Sequence, residues 1–226
     1  MLCLDVTDED SVQRGIQSIV SREGRLDIVV NNAGFGLAGP VEFTSEEEAR
    51  RQFDVNFFGV LRVCRAALPI MRRQGGGCIV NIGSIGGLIA IPYQSIYSAS
   101  KFALEGLTEA LRYEANAFGI RVVLIEPGDH RTEFTRNRQI SERVPDEAYR
   151  TSFQAALSRM ESDEQNGAGP EKVAALVERV VHLRHPRLRY TAGPASQRAA
   201  VWLKRVLPYS LFEFGVRRYY GLFDRK

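Results

Sequence analysis

Apolar strand-like runs alternating with helix-length segments predict an α/β fold built on a doubly wound parallel sheet. Two observations carry this. The runs LDIVV, CIVNI and RVVLI are continuous and rich in β-branched residues, as strands covered on both faces are. The segments between them repeat apolar residues at helical spacing, and parallel neighbours need such right-handed crossover helices.

The opening MLCLDV is a short apolar run ending in an acid and reads as a first strand. Val12, Ile16, Ile19 and Val20 then recur at helical spacing behind an acidic first turn that suits the helix dipole, and Gly24 closes this helix. LDIVV, residues 26 to 30, is the next strand; it stops at Asn31, and a loop runs through Pro40. Thr44 with Glu47, or Ser45 with Glu48, offers a capping box for a long helix that carries Phe53, Phe57, Val60 and Leu61 and ends near Arg72 and Arg73. After QGGG, residues 78 to 84 form a buried strand ending in a hydroxyl, and Tyr97 to about Phe118 is a helix closed by Gly119. IRVVLIEPG is strand and turn. From Asp129 to Gly169 the composition is polar, with weak helical periodicity. Pro170 opens a helix to about His182, and RYTAG, residues 189 to 193, is a last short strand.

With 30 Lys and Arg against 27 Asp and Glu, the net charge is only +3 and no basic stripe runs through the main body, which argues against nucleic acid as a partner. Cys3, Cys64 and Cys78 are odd in number and set in apolar surroundings, so they read as core hydrophobes and not as a disulfide framework or metal site. The acids that follow Met1 do not resemble a signal peptide, and no apolar run reaches the about 18 residues of a membrane span. A cytoplasmic location is expected.

Tyr97 and Lys101, in YSASK, stand four apart, which on a helix places phenol and ammonium on one face. A free tyrosine is a poor acid or base at neutral pH, and a nearby ammonium draws its pKa down. Lys101 would then tune Tyr97 as proton donor or acceptor. Ser84 ends a strand, where open α/β sheets place their ligand crevice, and its hydroxyl could hold a substrate carbonyl. Alone, YxxxK is more often a solvated helix face.

The context is five motifs in order: NNAG at residues 31 to 34, VNFFG around Asn56, IGS ending at Ser84, YSASK, and EPG at 126 to 128 followed by Thr132. Together they resemble the short-chain dehydrogenase/reductase family over about residues 2 to 132. The resemblance implies a Rossmann-like fold over 1–226 as a single domain, with 129–169 as a substrate-binding loop region. It implies a metal-free interconversion of alcohol and carbonyl with NAD or NADP. In that reading Tyr97 moves the proton, Ser84 orients the oxygen, Lys101 also binds the nicotinamide ribose, and Asn56 kinks its helix and extends a proton relay. Asn31, Ala33 and Gly34 would lie beside the cofactor, Pro127 and Gly128 would let the backbone approach it, Thr132 would meet the nicotinamide amide, and Asp5 would stand near the adenine. Asp5 as a helix cap and Thr132 as a loop hydroxyl remain open readings. His130 reads as a surface loop histidine.

The family's opening strand, TGxxxGxG turn and second strand, whose end selects NAD or NADP, have no counterpart in these 226 residues. By the family's strand order the two strands would stand between LCLDV and DIVV, so one flank of an apolar strand should be exposed and the chain poorly stable alone. Two expectations follow: Met1 is an internal methionine of a longer, active homo-oligomeric enzyme, or the chain is a silent form that acts by pairing with an intact relative. Residues 199–226 form an amphipathic extension that mixes Trp202, Leu203, Leu207 and Phe212 with Lys204, Arg205, Arg217 and Arg218, interrupted at Pro208. It reads either as helices over the site entrance or a partner subunit, or as a basic aromatic face on a membrane surface. Such tails resemble those of hydroxysteroid and retinol dehydrogenases, which implies an apolar substrate.

Overall fold

The computed structural model describes residues 2–143 and 146–222; Met1, residues 144–145 of the 129–169 region and the last residues of the 199–226 extension lie outside the described residues. In chain order the strands are β1 (Ile28–Asn31), β2 (Leu37–Ala38), β3 (Gly77–Ile82), β4 (Ile120–Pro127), β5 (Gln139–Ile140) and β6 (Arg189–Ala192). The α-helices are α1 (Glu9–Glu23), α2 (Glu46–Phe53), α3 (Val60–Arg73), α4 (Ser95–Asn116), α5 (Glu147–Gln165), α6 (Glu171–His182), α7 (Ala195–Val206) and α8 (Tyr209–Tyr219).

The central sheet is parallel throughout, in the order β1-β3-β4-β6, with Val29 opposite Ile79, Ile79 opposite Val122 and Ile125 opposite Tyr190. Successive strand residues point to opposite faces. Ile79, Val122 and Leu124 therefore join a core with α1, α3 and α4, while Val80, Val123 and Ile125 join a second core with α6. Both faces of β3 and β4 are dry, which is why these two strands read as unbroken apolar runs, and each buried Val, Leu or Ile contributes about 1.5–3 kcal/mol.

Helix boundaries follow local chemistry. Asp8 caps α1 by accepting from the Asp10 amide at 2.9 Å, and Gly24 ends it in the left-handed region at φ 74°. Of the two possible capping boxes, Ser45–Glu48 is the one formed: Glu48 Oε2 accepts from the Ser45 amide at 2.7 Å, and Ser45 Oγ accepts from the Glu48 amide at 3.2 Å. The long helix predicted from this box is α2 and α3 joined by a π-helical stretch, Asp54–Gly59, that contains Asn56. Such a stretch inserts an extra residue into the helical turn and redirects side chains.

Three expectations are corrected. MLCLDV forms no strand, because its described residues have no ladder partner; Leu4 and Val6 instead pack on the α1–α3 core, and the Val6 carbonyl accepts from Arg62 Nη1 at 3.1 Å. The polar 129–169 region contains the 19-residue α5, which buries Phe153, Ala156 and Met160. Cys64 and Cys78 are core residues, but Cys3 is exposed. The small parallel pair β2–β5 was not legible in the sequence. β1 is a sheet edge with Ile28 and Val30 45% and 42% exposed, in line with the expected bare flank. Leu207 and Pro208 separate α7 from α8, as the interruption at Pro208 anticipated.

Candidate active site

A cavity of about 1400 Å³ opens beyond the carboxyl ends of β1, β3 and β4, where Val30, Ile82, Ser84, Pro127 and Gly128 meet. This is where strands that end together leave backbone groups and loop side chains free for a ligand. Tyr97, Lys101, Gly34 and Thr132 line the same space, and α7 and α8 wall its far side with Leu203, Leu207, Leu211, Phe212 and Val216.

Tyr97 and Lys101 sit one turn apart in α4, both buried, with Lys101 Nζ 5.9 Å from the Tyr97 ring centroid. The ammonium donates to the Ile82 carbonyl at 2.9 Å, and burial pushes its pKa down to about 8. Burial pushes the Tyr97 phenol up to about 12, and the Ser84 hydroxyl opposes the rise. The expected lowering of the phenol by Lys101 is not found: burial raises it, and Ser84 and Arg138 are the groups that oppose the rise; the Phe134 ring packs 5.6 Å from the Tyr97 ring. At neutral pH the phenol keeps its proton and is a donor. Ser84 begins a short 3-10 turn, Ile85–Gly87, and its Oγ accepts from the Gly86 amide at 3.0 Å, which leaves the hydroxyl hydrogen free to point elsewhere.

Asn56 lies behind the cavity wall, 1% exposed. Its Oδ1 accepts from the Phe35 amide at 3.1 Å, and its Nδ2 donates to the Phe35 carbonyl at 3.0 Å and to Ser100 Oγ at 3.2 Å. A methyl group on Gly34 would stand 3.1 Å from Asn56 Oδ1 and 3.8 Å from Lys101 Nζ, so both side chains approach the bare glycine. Asn31 also sits behind the wall, where its Nδ2 donates to Asn81 Oδ1 at 2.8 Å while Asn81 Nδ2 donates to Thr108 Oγ1 at 2.9 Å, tying β1, β3 and α4 together.

Not every expected residue gathers here. Ala33 faces a separate groove of about 240 Å³ between β1 and the Leu4–Val6 segment. Asp5 is exposed outside the cavity lining; its carboxylate accepts from the Thr7 amide at 2.8 Å, a local turn that holds its pKa below the usual value. Thr132 lines the cavity, and its hydroxyl accepts from the Phe134 amide at 3.2 Å. His130 is a correction: it is buried, 7% exposed, because a parallel bridge to Ala168 packs the turn against residues 167–168. Its Nδ1 faces the Gly128 carbonyl at 3.0 Å; a carbonyl can only accept, so that nitrogen is the protonated one.

The structure adds residues that sequence reasoning missed. Asp129 lines the cavity, and burial pushes its carboxyl up to about 6, opposed by its bond from Gln197 Nε2. Glu164 of α5 forms a buried ion pair with Arg138 and accepts from Thr135 Oγ1. Gln94, just before α4, lines the cavity with its Nε2 buried and unbonded among the described residues. Asn81 carried a usable signal, a polar residue inside an apolar strand. Gln52, whose side chain brackets the Phe35 carbonyl and the Leu37 amide, carried none.

No group of three or more His, Cys, Asp or Glu side chains among the described residues is placed to hold a metal ion. Gly34, Lys101, Gly128 and Thr132 line the same cavity, so glycine backbone, one cation and one hydroxyl border space that suits a flat polar ring with its adjoining sugar, although the Gln197 side chain stands close against Gly128. Among the described residues, no glycine-rich turn stands between a strand and a helix elsewhere to cradle a pyrophosphate.

Residues 1–143 match the family model described as short chain dehydrogenase. The chain is 44% identical over 223 residues to the 3-ketodihydrosphingosine reductase of Bacteroides thetaiotaomicron, covering 98% of this chain and 83% of that one. A short-chain dehydrogenase from Streptomyces avermitilis superposes with a TM-score of 0.79 at 35% identity, over 97% of this chain and 79% of that one. A short chain dehydrogenase/reductase from Burkholderia phymatum in complex with NAD does so at 0.75 and 30% identity, over 89% and 73%. Fold, motif order and these likenesses agree: the chain belongs to the short-chain dehydrogenase/reductase family.

Proposed function

We propose that this chain is an oxidoreductase that interconverts an apolar alcohol and its carbonyl compound, with NAD or NADP as hydride carrier. The observation that carries the reading is the convergence of Ser84, a protonated Tyr97 and Lys101 on one cavity whose opposite wall is aliphatic and aromatic. In reduction, Tyr97 gives its proton to the carbonyl oxygen while the Ser84 hydroxyl donates a hydrogen bond to the same oxygen and fixes its position. In oxidation Tyr97 accepts that proton. Bound NAD or NADP supplies or takes the hydride. Gly34, Lys101, Pro127, Gly128 and Thr132 would hold its nicotinamide end, with Asn31 bracing the strand behind them. Asp5, turned into its own local bonds, is left out of this assignment. Asn56 fixes the Phe35 backbone beside Gly34 and, through Ser100, whose hydroxyl donates to the Tyr97 carbonyl at 2.7 Å, braces the turn of α4 that carries Tyr97 and Lys101.

An apolar substrate is supported by the leucine and phenylalanine wall from α7 and α8 and by the name of the Bacteroides relative, a reductase of a keto compound. In this reading a full-length form would work as a homo-oligomer. The test is initial-rate measurement of NADH and NADPH oxidation with ketones of increasing chain length. The reading predicts that kcat/KM rises with chain length, each buried methylene contributing about 0.8 kcal/mol. A flat or falling series would reject the apolar substrate, and no oxidation with either cofactor would favour a silent chain.

A further inference from the structure

Helices α7 and α8 carry two apolar faces. One lines the cavity; the other meets water. Trp202, Val206 and Tyr209 are 62%, 53% and 74% exposed, and none of them touches the cavity. Trp202 and Val206 stand four apart on one side of α7, and Arg198 continues that side one turn earlier. Large apolar side chains exposed singly are ordinary, but a contiguous patch marks a surface that something covers.

The charge carried by these two helices is one-sided. Within Ala195–Leu222 the exposed Arg198, Arg205, Arg217 and Arg218 stand against one acid, Glu213. Lys204 is turned inward, bonded to the Leu88 carbonyl and 5.2 Å from the Phe102 ring centroid. Arginine around tryptophan and tyrosine suits the boundary between an anionic headgroup layer and hydrocarbon. At about 1.5 Å per residue, α7 and α8 are too short to cross the roughly 30 Å hydrocarbon core, and no helix among the described residues is long and apolar enough to do so. They can only lie in the plane of the surface.

The cavity opens onto the same side. Leu203, Leu211 and Tyr219 line it and are also 37%, 54% and 45% exposed, so they form its rim next to the patch. We propose that the exposed face of α7 and α8 docks on an anionic lipid bilayer, so that an apolar carbonyl substrate passes between bilayer and cavity at the Leu203–Leu211–Tyr219 rim. The docking rests on the patch and its charge; only the passage of substrate rests on the apolar-substrate reading above.

The test is flotation of the full chain with vesicles of phosphatidylcholine alone and of phosphatidylcholine mixed with phosphatidylglycerol. Two double variants accompany it, Trp202→Ser with Tyr209→Ser and Arg205→Gln with Arg218→Gln, all four sites lying outside the cavity wall. Wild type should float with the anionic vesicles and far less with the neutral ones. The arginine variant should lose roughly fivefold in partition per residue, about thirtyfold together, and the aromatic variant should lose binding to both vesicle types. Unchanged circular dichroism and thermal transitions show that the variants are folded. A wild type that stays with the lipid-free fraction overturns the proposal, as do variants that float like it. Loss of a dimer by light scattering in the aromatic variant, with unchanged flotation, would assign the face to a second copy and overturn it too. Turnover of a long-chain ketone in detergent solution is scored separately: its absence sinks the substrate reading and leaves the docking result standing.

Discussion

Replacing Lys101 by Met removes an ammonium that the fold holds almost dry, and its cost can be worked from the structure. Burial lowers the folded-state pKa from 10.5 to about 8, roughly 2.5 units, which at 1.36 kcal/mol per unit is about 3 kcal/mol. Between pH 8 and 10.5 the unfolded chain binds this proton and the folded chain does not, so Lys101 makes the wild type gain stability as pH rises through that window. Below pH 8 both states are protonated and the full burial cost is present. The same range also titrates Cys64, pushed up to about 12, and Tyr97, so the wild-type curve alone does not isolate the lysine. The difference between wild type and Lys101→Met does, because those groups are common to both. Urea unfolding of the two proteins, followed by circular dichroism from pH 7 to 10.5 under reducing conditions, should show the variant's advantage over wild type shrinking by up to about 3 kcal/mol. Loss of the bond to the Ile82 carbonyl adds a constant offset and no slope. A pH-independent difference would refute the claim that this ammonium is desolvated.

Asp129 gives the opposite sign. Its folded-state pKa is raised from 3.8 to about 6, so its contribution is fully present below about pH 3.8 and lost as pH rises through 6. Asp129→Asn should therefore raise Tm relative to wild type at pH 7.5, by up to about 3 kcal/mol in stability, with the gap closing by pH 4 in calorimetric scans. Glu164→Ala leaves the Arg138 guanidinium buried without its carboxylate and should destabilise by about 3–5 kcal/mol in chemical unfolding at pH 7. If that loss is under 1 kcal/mol, the ion pair does not hold α5 against the 129–138 turn.

Much of this was legible in the sequence because it depends on local rules. The strands at 78–84 and 120–127 are covered on both faces and read as apolar runs; the run at 26–30 reads the same way, yet Ile28 and Val30 of its second face stay exposed. Gly24 and Gly119 had to adopt positive φ to end their helices, and Ser45 with Glu48 carried its own cap. Helix period and strand end allow Tyr97, Lys101 and Ser84 to share one crevice, but they were singled out because five motifs in order resemble the short-chain dehydrogenase/reductase family. The failures depend on long-range partners. MLCLDV has strand composition, but a strand exists only with a neighbour to bond. Helix α5 buries a narrow stripe, Phe153, Ala156, Met160 and Glu164, inside an otherwise polar stretch, so its spacing of three, four and four was masked by composition. His130 was assigned to the surface because nothing local shows that residues 167–168 fold back over its turn.

The most direct test of the account is the Tyr97→Phe variant, assayed for NADH- or NADPH-linked reduction of the best ketone from the chain-length series. The phenol is the proton donor in this account, and its ring packing on Phe134 survives the change. Turnover should therefore fall about 10²–10⁴-fold with Tm and the KM for ketone nearly unchanged. A variant that retains wild-type turnover would contradict the assignment of Tyr97 as the group that moves the proton.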